Sequence, residues 1–99
     1  MIRHVVLFKL TDPVPGAVPR PFETLRDALE PLATSVPGVL SLRVSADPGT
    51  IDRHWHAVLE TEHDSWDDLA RYQDHPAHRR AVATIDAIVA ERAVVDYER

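Results

Sequence analysis

The sequence predicts an α+β fold of ferredoxin-like type: a four-stranded antiparallel sheet with its helices on one face, in the order β-α-β-β-α-β. Three observations carry this. Residues 2–10, 39–46, 54–62 and 93–97 read as strands, most of them by period-two alternation. Two intervening stretches, 21–36 and 66–90, place apolar residues at helical spacing. The first strand carries large apolar groups on both faces, whereas a sheet packed on one side only alternates cleanly between apolar and polar. A second subunit is therefore expected over the open face, in an isologous two-fold homodimer.

The elements follow in order. In residues 2–10, Ile2, His4, Val6, Phe8 and Leu10 share one face, and Arg3, Val5, Leu7 and Lys9 the other. Four prolines and a glycine make residues 11–21 a loop. Pro21 suits a first helical position and Glu23 the first turn. Phe22, Leu25, Leu29, Leu32, Ala33 and Val36 form one stripe, but Pro31 removes a hydrogen bond and clashes with the preceding turn at roughly 3 kcal/mol, so a break is expected near Glu30. Pro37–Gly38 closes the helix. The strand over 39–46 sets Leu40, Leu42, Val44 and Ala46 against polar neighbours, and Asp47 to Thr50 turns the chain. In the next strand, Trp55, Ala57, Leu59 and Thr61 oppose His54, His56, Val58 and Glu60. Ser65 and Asp68 resemble a capping box opening a short helix with Trp66, Leu69 and Tyr72 inward. After His75–Pro76 a further helix is expected over 77–90, and a last strand over 93–97.

Ninety-nine residues, 44% hydrophobic and 27% charged, describe one folded domain over 1–99 rather than a disordered chain. Cysteine is absent, which excludes disulfides, thiolate metal sites and a cysteine nucleophile. The apolar run at the start is too short for a signal peptide or a membrane span, so no membrane partner and a cytoplasmic location are expected. A net charge of −5 with scattered arginines argues against a nucleic-acid surface.

Six histidines raise the prospect of chemistry, because imidazole titrates near neutrality and is the commonest metal ligand. The stretch YQDHPAHRR concentrates the question. His75 precedes Pro76 and is held out of helical conformation, which suits an N-cap and a structural role. His78 falls in the first turn of the following helix, where the dipole favours a neutral imidazole, the form a general base needs. Tyr72 lies one turn before the proline, and its hydroxyl could stabilise an enolate oxygen beside that base. The bland alternative makes His78 a cap and Tyr72 a core residue. His4, mid-strand beside Val6 and Phe8, must either line the same pocket or find an internal partner. His54, His56, His75 and His78 invite a metal, yet no recognised spacing such as HExxH is present, and no metal site is expected. Arg79–Arg80 reads as a solvated pair.

HVVLFKL at the start, PGV after the first helix, YQDHPAH, and VVDY at the end together resemble the stress-responsive dimeric α/β-barrel (Dabb) family, over nearly the whole chain. The resemblance implies a homodimer whose two sheets form a dimeric α+β barrel. It also implies chemistry without a cofactor: one plant member closes a linear polyketide by an intramolecular aldol reaction, with a catalytic tyrosine and histidine matching Tyr72 and His78 and a first-strand histidine matching His4. Several pocket aromatics of that enzyme are absent here. Ala81, Val82 and Ile85 follow HPAH, and Arg26 stands where its first helix has an aromatic, so its substrate does not transfer. The expected function is a pocket for a small, partly apolar carbonyl compound, lined by Val6, Phe8, Leu59, Trp66, Leu69 and Ile85. Within it His78 would act as base, Tyr72 as oxygen donor, and His4 as an orienting group. The alternatives are a non-catalytic stress-response or ligand-binding protein and a cofactorless monooxygenase.

Overall fold

The computed structural model describes residues 1–13, 15, 16 and 20–99. The expected loop over 11–21 therefore lies partly outside the described residues. Four strands, β1 (Ile2–Leu10), β2 (Ser41–Ala46), β3 (Ala57–His63) and β4 (Val89–Glu98), form one antiparallel sheet in the order β2-β3-β1-β4. Helices α1 (Pro21–Leu29), α2 (Leu32–Ser35), α3 (Trp66–Asp74) and α4 (Pro76–Ile85) complete the ferredoxin-like arrangement. β1 is central, and its alternation decides the layering. Ile2, His4, Val6, Phe8 and Leu10 are buried under the helices, while Leu7 on the opposite face is 39% exposed. Leu25 and Leu29 of α1, Ile85 of α4 and Phe8 belong to the core, each 2% exposed or less.

Pro21 opens α1 as expected, and the helix breaks at Pro31. The Glu30 N–H still reaches the Arg26 carbonyl at 2.9 Å, but the proline has no N–H to continue the ladder. The short α2 keeps Leu32 buried, and Val36 follows it into the core. Gly38 then turns the chain at φ +85°, a left-handed angle that glycine adopts without strain. Ser65 caps α3, its Oγ accepting from the Asp68 N–H at 3.1 Å. The Asp68 carboxylate pairs with Arg71 instead of closing a capping box.

Three expectations need correction. Trp66 is not on the inner face of α3. It is the first helical residue and is 49% exposed, and the buried stripe is Leu69 and Tyr72. The strand expected from His54 begins at Ala57. His56 leaves the ladder but serves β1: its N–H donates to the Phe8 carbonyl at 2.8 Å, and its Nδ1 accepts from the Leu10 N–H at 2.8 Å. The last helix ends at Ile85, passes through a 3₁₀ turn at Asp86–Ile88, and gives way to a strand at Val89. Pairing of Val89 with Leu10, and of the Thr11 N–H with the Ile88 carbonyl at 3.0 Å, overrides the local helical pattern there.

Candidate acid–base site

The helix face of the sheet and the helices above it enclose a cavity of about 140 Å³. Its floor is His4, Val6 and Phe8 of β1 with Leu59 of β3. Leu29, Gln73, His78, Val82 and Ile85 form its roof, and Arg92 and Val94 of β4 form its side. Val6, Phe8, Leu59 and Ile85 are among the lining residues, as are His4 and His78, but Tyr72 is not. Nor is Trp66, which is half-exposed at the start of α3, and Leu69 is buried outside the lining.

Strand register builds the polar end. His4 stands opposite Thr61 of β3 on one side and Asp96 of β4 on the other. Its Nδ1 lies 2.5 Å from Asp96 Oδ1. An ionised carboxylate only accepts, so Nδ1 carries the proton and donates, which orients the ring. His63, one residue beyond the expected strand end, is fully buried. Its Nδ1–H donates to the Gly38 carbonyl at 3.0 Å, leaving Nε2 to accept from the Thr61 hydroxyl at 2.9 Å. Burial, opposed by the Gly38 bond, holds His63 below the ordinary 6.5.

Tyr72 sits among three imidazoles. Ring centroids are 4.7 Å away for His78, 5.2 Å for His63 and 6.1 Å for His4. The tyrosine is completely buried, and among the described residues no group bonds its hydroxyl. Burial pushes its pKa up to about 12, so it remains a phenol at neutral pH. His78, third residue of α4, is half-buried beside it. Burial is the first cause that holds His78 below its usual value, with His4 and Arg92 adding to it and the Gln73 carbonyl opposing.

The remaining histidines have structural partners. His75 ends α3 and starts α4 in extended conformation, and its Nδ1 accepts from the Ala77 N–H at 3.0 Å. His54 Nδ1 lies 3.1 Å from Asp47. Among the described residues no group of three or more His, Cys, Asp or Glu side chains could hold a metal ion. Arg79 pairs with Asp74, and Arg80 lines a separate surface hollow. No helix among the described residues is long and apolar enough to cross a membrane. Asp96, Arg92 and His63 were absent from the sequence reading as site residues. The β1–β4 register that recruits the first two is a long-range fact, and the late strand boundary had left Arg92 out of the sheet.

Fold and cavity define a small ferredoxin-like α+β protein with a histidine–tyrosine cluster beneath its helices. The chain belongs to the Stress Responsive A/B Barrel Domain family, Dabb, whose model matches residues 2–99. A dimeric ferredoxin-like protein of unknown function from Thermobifida fusca YX is 31% identical with a TM-score of 0.83, the match covering 99% of this chain and 90% of that one. A dimeric ferredoxin-like protein of unknown function from Bacteroides fragilis is 30% identical with a TM-score of 0.84, covering 99% and 95%. Hydroxynitrile lyase from Passiflora edulis shares the fold at a TM-score of 0.78, with 15% identity over 97% of this chain and 90% of that one. No curated protein matches the chain.

Two measurements follow from this geometry. Tyr72→Phe removes a buried hydroxyl that has no partner, so urea unfolding should find the variant more stable by about 1 kcal/mol or more. His63 is held neutral in the folded chain and gains a proton more readily once unfolded. Its contribution is therefore complete above the ordinary 6.5 and lost as pH falls below it. Unfolding free energy should decline from pH 7.5 to pH 5, and His63→Gln should flatten that decline.

Proposed function

We propose that this protein is a cofactor-free acid–base catalyst acting on a small carbonyl compound, an aldol-type cyclase or lyase. The observation that carries this reading is a cavity lined by His4 and His78 with, packed against the His78 ring at 4.7 Å, a buried tyrosine whose hydroxyl no group among the described residues bonds. A neutral His78 accepts the proton from a carbon α to the substrate carbonyl. The electron pair of that C–H bond moves into the carbonyl group, and the oxygen that gains charge accepts a hydrogen bond from Tyr72. The enolate attacks a second carbonyl to form a carbon–carbon bond, and the proton on His78 returns to the new alkoxide. In reverse, the same groups break such a bond. A phenol with a pKa of about 12 serves as donor and not as base, which separates the two roles. His4, fixed by Asp96, orients the substrate.

The cavity of about 140 Å³ is comparable to one that holds a benzene-sized molecule, so the substrate is small rather than a long polyketide chain. The lyase from Passiflora edulis supports the reaction class by analogy of fold alone. The same volume favours a second reading, a protein without catalysis, because small-molecule sites more often measure about 300–1,000 Å³.

A homodimer formed through the open sheet face belongs to this proposal. Leu7, Val95 and Tyr97 are exposed on that face, and the Thermobifida and Bacteroides relatives are dimeric. Sedimentation equilibrium should give twice the chain mass for the wild type and a monomer for Val95→Glu.

Catalysis is tested by exchange of α-protons of short ketones and oxo acids into D₂O, followed by proton NMR. Wild-type protein should accelerate exchange, and His78→Ala and Tyr72→Phe should each lose about a hundredfold. With the His78 pKa lowered, the rate should stay level through neutrality and fall only below the ordinary histidine range. Unchanged exchange in both variants would exclude the mechanism.

A further inference from the structure

We propose that the cavity is built for a short oxo acid, with Arg92 as the anchor for its carboxylate. The proposal rests on the cavity reading above and names the substrate class of that same site. Arg92 lies opposite Phe8 in the β1–β4 register, so its side chain leaves the sheet on the face of His4, Val6 and Phe8 and joins the lining that holds His78. Several other cations of the sheet and helices are engaged, and Arg43 and Arg80, which form no ion pair among the described residues, lie away from this cavity. Arg3 pairs with Glu62, Lys9 with Glu91, Arg71 with Asp68 and Arg79 with Asp74. Arg92 forms no such pair among the described residues, and it is the cation that lines this cavity. Asp96, four residues further along the same face of β4, is already bonded by His4 at 2.5 Å.

Among the described residues no carboxylate lines the cavity. Its polar groups are the two imidazoles, the Gln73 side chain and the guanidinium, and the rest is apolar. An unpaired cation at a cavity free of acids, in a chain of net charge −5, marks a local preference for an anion that the overall charge opposes. A guanidinium presents a planar fork of donors that matches a carboxylate in two parallel hydrogen bonds. The apolar lining suits the carbon skeleton, and the volume limits it to about six to eight heavy atoms. With the carboxylate on Arg92, the α-carbon lies in the cavity whose lining also holds His78, and the negative charge that develops on loss of its proton stays beside the guanidinium. Inorganic phosphate shares the charge but has nothing to place against Val6, Phe8 and Val82.

Acetoacetate and its uncharged isostere acetoacetamide separate the possibilities. Each is titrated into wild-type protein, Arg92→Leu and Arg92→Lys, with the His78 Hε1 proton as NMR reporter and inorganic phosphate as a third probe. The wild type should bind the acid about tenfold or more tightly than the amide. Arg92→Leu should lose that preference and Arg92→Lys keep part of it. Arg92→Leu should also raise the His78 pKa, which places the guanidinium beside the imidazole independently of any ligand. Equal binding of acid and amide by the wild type overturns the proposal. So do an acid preference that survives in Arg92→Leu, phosphate binding as tight as acetoacetate, and no binding of either organic probe. An Arg92-dependent acid preference without α-proton exchange supports the anchor and refutes catalysis. Exchange without acid preference does the reverse.

Discussion

Everything at the site depends on the double pairing of β1. One strand is hydrogen-bonded on both sides, and the two registers place Thr61 and Asp96 directly opposite the same residue, His4. Because side chains alternate, a slip of one position along either neighbour would turn its facing residues to the other side of the sheet. Val6, Phe8 and Leu10 resist such a slip because their burial under α1 and α4 would be lost with it. The apolar core therefore sets the geometry of the polar site. The extra residue at Lys9/Leu10, where the β4 pairing shifts, lies beyond the site and leaves the His4–Asp96 pairing undisturbed.

The polar cluster divides into satisfied and unsatisfied groups. Thr61, His63 and the Gly38 carbonyl close a chain of hydrogen bonds that ties β3 to the turn after α2. Tyr72, packed against the same imidazole, keeps its hydroxyl without a protein partner at a cost of roughly 1–3 kcal/mol. A fold that meets the needs of one buried group and leaves its neighbour unmet concentrates strain where a ligand could relieve it. Desolvation acts on both sides of this division, favouring the neutral imidazole of His78 and making the Tyr72 phenol reluctant to ionise, so one physical cause acts on both members of the proposed pair.

The element order, the central two-faced strand, the break at Pro31 and the cap at His75 were legible because each depends on local chemistry: alternation, a missing N–H, a residue before proline. Tyr72, His78 and His4 were legible as candidates because the spacing around Pro76 and the interruption of an apolar strand are local signals as well. Asp96 was not, because an aspartate in the last strand gains meaning only from the register with β1. Arg92 was hidden by a boundary error, since the apolar spacing through Ile88 and Val89 continues a helix as well as it starts a strand. His63 stood one residue outside the expected strand, where nothing local separates a buried histidine from a loop histidine. Trp66 misled for the opposite reason: its size suggested the core, but the first position of α3 leaves it at the surface.

β4 is an edge strand of ten residues, exposed along nearly all its length, and its charges do more than face solvent. Glu91, Arg92, Asp96 and Glu98 punctuate a strand that otherwise offers Val89, Val94, Val95 and Tyr97 and a free row of backbone groups to any passing chain. Arg92 thus stands in two systems, the lining of a cavity and the guard of a sheet edge, while Asp96 joins that guard and fixes His4. Evolution of ligand choice through this strand is constrained from outside the cavity. Each exchange of a charged residue for an apolar one, however well it fits a new ligand, also removes a barrier to strand-by-strand association.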